Sequence, residues 1–364
     1  RYFPKITLLK EKTLLIDGPA SVVLQHGTAS ILGARIRGGI TLPIPKHRRI
    51  PIETSGEAIF QVWLGENGSF RQVKGSTIPT SWQEAAGTIS RPKGLAVVLG
   101  DVDSGKSTLC TYLANSCLDR KIQPSIIDGD VGQADIGPPA TTSSSTVSKH
   151  IFSLHELTPE RSYFIGDTSP SLVPDKHVQS IVRLDQDISK KNGITIVNTD
   201  GWLREDAAIE HKLTLLEKLR PSLVLGLGPN NELDHIIDAQ QYPNLKLDAS
   251  NYALTRTREQ RKGAREEGYR KFLRNARNLD VKLSAIKLRM FKDPSQERID
   301  QTNSHKGLLA GLLDEEGALL SIGRIIHIAN GTIRVTTTID ETPKIVELGA
   351  VILSSTFSEV GFES

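Results

Sequence analysis

The chain has 364 residues, of which 38% are hydrophobic and 24% are charged, and its formal net charge is +3. These values favour neither a disordered chain nor a membrane protein, and the length favours two or three domains, each with its own core. No apolar run approaches the ~20 residues that span a bilayer, and the residues from Arg1 lack the regions of a signal peptide. We therefore expect an intracellular protein, cytoplasmic or, in a eukaryote, nuclear.

Residues 1–88 are predicted to form an N-terminal β-rich domain. Short apolar runs separated by turn residues occur at 13–18, 20–24, 30–32 and 59–63. Runs of this length and spacing are typical of small antiparallel sheets.

Residues 89–280 are predicted to form an α/β domain with a parallel sheet. From Lys93 onward, apolar strands alternate with glycine turns and helical segments, which is the order that such a sheet requires. The buried strands are expected at 95–99, 125–128, 194–197 and 223–227. The two cysteines, Cys110 and Cys117, lie seven positions apart in one predicted helix. This spacing separates them by ~10 Å along the axis, so we expect buried thiols and no disulfide.

A polar loop within the α/β region and a further β domain after it are also predicted. The Ser- and Thr-rich residues 141–146 are predicted to be a surface loop. Residues 281–364 return to short strands and glycine turns, for example at 322–329 and 332–336, and predict a C-terminal β-rich domain.

Residues 255–277 are predicted to form a basic helical segment. Its positive residues are Arg256, Arg258, Arg261, Lys262, Arg265, Arg270, Lys271, Arg274 and Arg277. Because the net charge of the whole chain is small, this local concentration is where we expect an anionic ligand. The alternative is a solvated basic helix.

The strongest motif is a complete phosphate-binding loop. It reads Gly100-Asp101-Val102-Asp103-Ser104-Gly105-Lys106-Ser107-Thr108 and lies between an apolar strand and a helix-forming run, the context that the motif requires. Backbone N–H groups and the helix N-terminus favour phosphate there. Lys106 is expected to bridge the β and γ phosphates, and Ser107 is expected to ligate Mg²⁺. The motif therefore predicts ATP and Mg²⁺ as cofactors.

Two carboxylates follow the next buried strand, in Asp128-Gly-Asp130-Val-Gly-Gln133. Ligands of doubly wound sheets bind at the carboxyl ends of the strands, so these carboxylates are expected to face the phosphate-binding loop. One could serve Mg²⁺ and the other could act as a base. Capping of the following turn is the alternative role for a strand-end Asp.

Other classes of nucleotide-binding protein fit less well. A GTPase needs an Asn-Lys-x-Asp motif after a late strand, and residues 229–234 lack the Lys. The signature motif and the Asp-Glu strand end of transporter ATPases are absent from the sequence. A small-molecule kinase is disfavoured by the basic segment and the flanking β domains. Group transfer to a larger acceptor remains.

Five segments together resemble the polynucleotide 5′-hydroxyl kinase family. They are 100–108, 128–133, 164–170, 198–202 and 256–272. The resemblance implies a central P-loop domain between an N-terminal β-sandwich and a small C-terminal domain. That family includes the RNA kinases of mRNA 3′-end cleavage, tRNA splicing and ribosomal RNA processing.

The resemblance also implies a role for matching residues around the metal. By position, Asp130 would accept the proton of the attacking hydroxyl and would serve as a metal ligand beside Ser107. Gln133 would orient the acceptor end. Thr168 corresponds to a residue near the metal and the γ-phosphate, with a plain strand-end turn as the alternative.

Residues Thr199, Gly201 and Trp202 resemble the clasp that holds the terminal nucleotide in this family. An aromatic ring suits this task because every base offers a π face. A buried core Trp is the alternative. Asp200 lies inside the clasp, where it puts a negative charge near the expected path of an RNA phosphate.

Arg256, Arg261 and Arg265 correspond to an arginine lid that closes over the phosphates. Helical spacing puts Arg261 and Arg265 on one face together with Arg258. Guanidinium groups there would stabilise the charge that spreads over the transferring phosphoryl group.

The sequence and the resemblance together predict transfer of the γ-phosphate of ATP to the 5′-hydroxyl end of RNA. The acceptor is expected to be single-stranded or duplex RNA, with DNA left open, and RNA-processing proteins are expected as partners, with no membrane. The alternative is an ATP-binding scaffold subunit of an RNA-processing complex, whose nucleotide is not turned over. Lys106, Asp130 and the lid arginines favour activity, because a scaffold needs no base.

Overall fold

The computed structural model describes residues 4–89, 94–188, 193–229, 231–291 and 305–360. Lys93, at the predicted start of the α/β region, and Asn230, within the segment 229–234, lie outside the described residues, as do both chain ends. The chain divides into two compact units. The first comprises Arg1–Ile126, Thr146–Leu157 and Ile188–Arg261, and the second comprises Ile127–Ser145, Thr158–Asp187 and Lys262–Ser364.

The N-terminal part of the first unit consists of two antiparallel sheets. Its strands are β1 Lys5–Leu8, β2 Lys12–Asp17, β3 Ala20–His26, β4 Ala29–Ile31, β5 Ala34–Arg35, β6 Thr41–Ile44, β7 Arg49–Thr54, β8 Ala58–Leu64 and β9 Ser69–Lys74. One sheet has the order β1-β8-β3-β6 and the other β5-β4-β7-β2-β9. Alternate residues such as Leu8, Leu14 and Phe60 share one core, as the period of two requires. The four strands predicted here are confirmed.

The middle of the chain alternates helices and strands. Its elements are α1 Thr80–Thr88, β10 Gly94–Gly100, α2 Lys106–Asp119, β11 Pro124–Asp128, β12 Thr141–Thr146, β13 Arg161–Phe164, α3 Pro174–Ile188, β14 Ile194–Asn198, α4 Asp206–Leu219, β15 Leu223–Leu227, α5 Asn231–Ala239, β16 Asn244–Leu247 and α6 Arg258–Phe272. The helix α1, which lies within the predicted β-rich region 1–88, was not expected from the sequence.

The first unit contains a parallel sheet that confirms the predicted α/β class. Strand β10 pairs in parallel with β14 and β15, and β15 pairs in parallel with β16. All residues of β14 and β15 are buried, as expected for strands covered on both faces. The carboxyl ends of these strands meet at one edge, where Gly100 of β10 is aligned with Leu227 of β15.

Helix α2 carries both cysteines. Cys110 and Cys117 are both buried, and no disulfide joins them. Burial raises the pKa of the Cys117 thiol to about 11, against the opposing effect of the Arg120 charge. The expectation that both cysteines are buried is confirmed.

The prediction of a surface loop at residues 141–146 is wrong. These residues form strand β12, which pairs antiparallel with β13 in the second unit, and Thr141–Ser145 are buried. Their hydroxyls are satisfied inside the protein, since Thr142 Oγ1 donates to Ser180 Oγ at 2.9 Å and Ser143 Oγ lies 2.8 Å from Ser162 Oγ. Polar composition suggested exposure, but hydroxyl groups that hydrogen-bond to one another can be buried.

The C-terminal part of the second unit is a six-stranded sheet. Its strands are β17 Arg277–Lys282, β18 Lys287–Arg289, β19 Leu308–Leu313, β20 Leu319–Ala329, β21 Thr332–Thr337 and β22 Ile345–Ile352, in the order β17-β21-β20-β19-β22-β18. Helix α6 contributes Tyr269 and Leu273 to a core shared with Phe164 and Leu309. Within the described ranges, no helix is long and apolar enough to cross a membrane.

Candidate active site

The phosphate-binding loop connects β10 to α2 in the first unit. Asp103 and Gly105 have φ values of 58° and 99°, the left-handed conformation in which a loop gathers its N–H groups into an anion-binding nest. Nζ of Lys106 donates to the carbonyl oxygens of Gly100 and Asp101 at 3.0 and 2.7 Å, and the residue is buried. The lysine is therefore held inside the curl of the loop.

The same loop has the groups that a nucleoside triphosphate with Mg²⁺ needs. Ser107 lies in the first turn of α2, and its Oγ accepts a hydrogen bond from Nδ2 of Asn198 at 3.3 Å. The first turn of α2 contains no acidic residue that would repel phosphate. A hydroxyl oxygen is a hard donor of the kind that Mg²⁺ prefers. Ser107 therefore fits the predicted role of metal ligand.

The clasp residues follow β14 and contact the phosphate-binding loop. Oγ1 of Thr199 donates to the carbonyl oxygen of Val98 at 2.7 Å, which ties the clasp to β10. A Cβ built on Gly201 would lie 2.6 Å from the main-chain nitrogen of Val102, so only glycine permits this approach. Trp202 is partly buried. In the first unit, Gly201 thus lies against Val102 of the phosphate-binding loop, while Thr199 is bonded to strand β10.

The carboxylate of Asp200 is buried and compensated. Its Oδ1 accepts the N–H of Trp202 at 2.9 Å, and its Oδ2 lies 2.5 Å from Nζ of Lys212, whose side chain is fully buried. The Trp202 ring also packs on the His211 ring, with centroids 5.5 Å apart. Asp200 therefore shapes the clasp turn and does not present an uncompensated charge. Sequence reasoning missed Lys212, although a lysine on the buried face of an amphipathic helix was a usable signal.

Two lid arginines contact an acid of the phosphate-binding loop. Nε and Nη2 of Arg256 donate to Oδ1 of Asp103 at 3.1 and 3.0 Å. The main-chain N–H of Arg256 and Nη1 of Arg261 donate to Oδ2 of Asp103 at 3.0 and 3.3 Å. The first unit therefore places Arg256 and Arg261 at the loop. Sequence reasoning assigned Asp103 only to the loop and missed this contact.

The carboxylates after β11 lie in the second unit and differ in environment. Asp128 is buried and accepts the N–H groups of Asp130, Asp135 and Ile136 at 3.3, 2.6 and 3.1 Å. Burial, with the negative charges of Asp135 and Asp130, raises the pKa of Asp128 to about 7. Asp130 is less buried, and its Oδ1 accepts the N–H groups of Gly132 and Gln133. Asp128 thus organises the turn, whereas Asp130 is more accessible.

Thr168 lies beside this turn in the second unit. A Cβ built on Gly132 would lie 2.8 Å from the carbonyl oxygen of Thr168 and 3.6 Å from Oδ1 of Asp130. In the second unit, Asp130, Gln133 and Thr168 therefore lie around the same turn.

Arg265 has a different partner from the other lid arginines. In the second unit its Nε and Nη2 form a two-pronged ion pair with Oε1 and Oε2 of Glu359, both at 2.6 Å. The two side chains are 18% and 14% exposed. Arg265 thus fastens α6 to the C-terminal segment, a contact that the sequence did not predict.

A cavity of about 820 Å³ adjoins the ends of β15 and β16 in the first unit. Thr77, Gly228, Asp248 and Tyr252 are among the residues that line it. Next to it, Nε1 of the buried Trp82 donates to the carbonyl oxygen of Asp248 at 2.8 Å. This position, beyond the carboxyl ends of parallel strands, is where α/β proteins bind ligands.

The chain is similar in sequence to known proteins. Residues 100–275 match the family described as mRNA cleavage and polyadenylation factor CLP1 P-loop. The chain is 35% identical to a polyribonucleotide 5′-hydroxyl-kinase of Pyrococcus horikoshii over 61% of each chain. It is 33% identical to one of Methanocaldococcus jannaschii, over 51% of this chain and 52% of the relative. The matched region thus spans about three-fifths or less of these relatives.

The fold as a whole is shared with a solved structure. The Clp1p chain of a Clp1p–Pcf11p complex superposes with a TM-score of 0.78, covering 96% of this chain and 98% of that chain, at 14% sequence identity. This likeness concerns the fold alone. The P-loop region of the chain is thus similar to the CLP1 P-loop family and to archaeal polyribonucleotide 5′-hydroxyl-kinases.

Proposed function

We propose that this protein is an ATP-dependent polynucleotide 5′-hydroxyl kinase that transfers the γ-phosphate of ATP to the 5′-hydroxyl end of RNA. The observation that carries the proposal is the contact between the phosphate-binding loop and the clasp, where Gly201 lies against Val102. Group transfer requires the donor phosphate and the acceptor to be close together, and this contact places the phosphate-binding loop beside the clasp that is proposed to hold the acceptor. The names of the archaeal relatives support the same activity.

The phosphate side of the reaction rests on Lys106 and Ser107. The ammonium group of Lys106 would turn from the loop carbonyls toward the β and γ phosphates. Ser107, Asp130 and Thr168 are the proposed oxygen ligands of Mg²⁺. When bound, Mg²⁺ would neutralise charge on the phosphate oxygens.

We assign the role of base to Asp130. Its carboxylate would take the proton of the 5′-hydroxyl as that oxygen bonds to the γ-phosphorus and the bond to the β-phosphate oxygen breaks. Asp128 is less suited to this role because three backbone N–H groups already occupy its oxygens. Gln133, three residues after Asp130, would orient the acceptor.

The clasp would hold the terminal nucleotide. Trp202 offers a ring face for stacking on the base, while Thr199 and Gly201 keep the clasp close to the loop. Arg256, Arg261 and Arg265 would close over the phosphates, and Arg265 would have to exchange Glu359 for phosphate to do so. We place the adenine base in the cavity beside Tyr252 and Gly228.

Around this site we propose a three-domain arrangement and protein partners. Residues 1–88 would form a β-sandwich, 89–280 the P-loop kinase domain and 281–364 a small C-terminal domain. The structural neighbours are complexes of Clp1p with Pcf11p. By analogy, we propose that this chain also assembles with RNA-processing proteins.

The proposal is tested by incubating the purified protein with γ-labelled ATP, Mg²⁺ and a 5′-hydroxyl RNA oligonucleotide. Label should appear on the RNA 5′ end and should be absent from a matched RNA that already carries a 5′-phosphate. A 5′-hydroxyl DNA of the same sequence measures sugar preference. Tight ATP binding without transfer to any strand would contradict the proposal and indicate a scaffold.

A further inference from the structure

The phosphate-binding loop contains an acid, Asp103, that the kinase reaction as described does not use. We infer that Asp103 is a positioning residue that holds the lid arginines Arg256 and Arg261 in place for the transferring phosphoryl group. This inference rests on the proposed kinase function.

The carboxylate of Asp103 is fully engaged by the lid. Its Oδ1 accepts Nε and Nη2 of Arg256, and its Oδ2 accepts the main-chain N–H of Arg256 and Nη1 of Arg261, all within 3.3 Å. The Asp103 side chain is 6% exposed, against 15% for Arg256 and 31% for Arg261. Because two N–H groups of the Arg256 guanidinium converge on one carboxylate oxygen, Oδ1, the contact restricts the direction in which that guanidinium points. Asp103 therefore sets the orientation of Arg256 and anchors one edge of Arg261.

The contact leaves part of each guanidinium group available. Within the described residues, Nη1 of Arg256 and Nε and Nη2 of Arg261 have no hydrogen-bond partner. Nη1 of Arg261 also donates to the carbonyl oxygen of Arg256 at 2.6 Å, which couples the two arginines. One carboxylate against two guanidinium groups leaves a net positive charge beside the loop. The remaining donors can therefore serve phosphate oxygens.

An aspartate at position 103 has two unfavourable effects, on phosphate binding and on the backbone conformation. A carboxylate in a phosphate-binding loop repels the anion that the loop binds. Asp103 also has a left-handed φ of 58°, a conformation that Asp adopts at a higher free-energy cost than Gly. Both costs are offset if the side chain preorganises two arginines, because positioned charges stabilise a transition state without reorganising during the reaction.

The central experiment compares Asp103→Asn with the wild type in single-turnover transfer from labelled ATP to 5′-hydroxyl RNA. We expect the variant to fold and to bind ATP within about threefold of the wild type, while transfer falls ~10–100-fold because the arginines are misplaced. The matched control Asp340→Asn, which removes an exposed carboxylate that has no role in the proposed site, should leave transfer unchanged. Tighter ATP binding with unchanged transfer would overturn the inference, because Asp103 would then act only by repelling phosphate.

A double-variant cycle tests whether Asp103 acts through the lid. If it does, Asp103→Asn added to the double variant Arg256→Gln/Arg261→Gln should lose little more activity than that double variant alone, because the side-chain contacts of Asp103 with both arginines are already gone. Independent, multiplicative losses would contradict the inference.

A readout without RNA separates this inference from the kinase proposal. Asp103→Ala should accelerate amide hydrogen exchange at Arg256, whose N–H bonds to Asp103, while exchange in the N-terminal sheets stays unchanged. Faster exchange in a protein that phosphorylates no strand would support the lid contact and reject the kinase function. If the protein is an active kinase and the substitutions change neither the exchange rate at Arg256 nor the rate of transfer, the inference is rejected while the proposed function is retained.

Discussion

The ammonium group of Lys106 is held by two carbonyl oxygens of its own loop, at 3.0 and 2.7 Å. We predict that Lys106→Ala abolishes phosphorylation and greatly weakens ATP binding, because the β and γ phosphates lose a fixed cation. Calorimetric titration with ATP and the label-transfer assay measure both effects. Unchanged activity would contradict the assignment of the nucleotide site.

Asp130 and Asp128 are neighbours with different environments, so a substitution can separate their roles. Asp130→Asn keeps the shape of the side chain but cannot take a proton. We predict retained ATP binding and a loss of transfer of roughly 10²–10⁴-fold, the range for general acid–base catalysis. If higher Mg²⁺ concentrations restored transfer, Asp130 would be mainly a metal ligand and Asp128 the better candidate for the base.

At the scale of elements, α6 carries arginines with two different partners. We predict that Arg261→Gln preserves stability and lowers turnover by orders of magnitude, as the loss of an arginine finger does. Arg265→Gln should also lower the free energy of unfolding, by about 1–3 kcal/mol, because it leaves the mostly buried Glu359 without its ion pair. Denaturant titration and single-turnover assays measure the two effects.

A change in RNA affinity alone would contradict the prediction for Arg261→Gln. Weaker RNA affinity with unchanged turnover at saturating RNA would mean that Arg261 belongs to a patch that binds the nucleic-acid backbone. A shallower dependence of RNA binding on salt would accompany that result.

Helix α2 follows the phosphate-binding loop and carries two buried cysteines, Cys110 and Cys117. Because burial raises the pKa of Cys117 to about 11, its reactive thiolate form is scarce at neutral pH. We predict that neither Cys110 nor Cys117 reacts with a thiol reagent in the native protein and that both react after unfolding. Rapid labelling of the native protein, followed by mass spectrometry, would contradict the described packing of α2.

At the scale of the whole molecule, ligand binding should report on folding. A nucleotide that binds only the folded state stabilises it, by about 2.7 kcal/mol at a concentration of 100 times Kd. We predict that ATP with Mg²⁺ raises the unfolding temperature of the wild type and leaves that of Lys106→Ala almost unchanged. An equal shift in both proteins would place the bound nucleotide outside the phosphate-binding loop.

Local features were predictable from the sequence for local reasons. The loop from Gly100 to Thr108 is a contiguous motif whose shape depends on its own backbone, and apolar periodicity located the parallel strands. The Ser- and Thr-rich strand β12 was missed because its hydroxyl groups are satisfied by Ser162 and Ser180, far along the chain. Composition alone does not reveal such partners.

By itself, the sequence determined the α/β class, the phosphate-binding loop and the resemblance of the P-loop region to polynucleotide 5′-hydroxyl kinases. The tertiary structure decided which charged groups meet. Asp103 and Arg256 are 153 positions apart, yet they form the lid contact, and Asp200 is compensated by a lysine inside the core. A backbone motif is determined by neighbours along the chain, whereas the partner of a charged side chain depends on how distant segments pack.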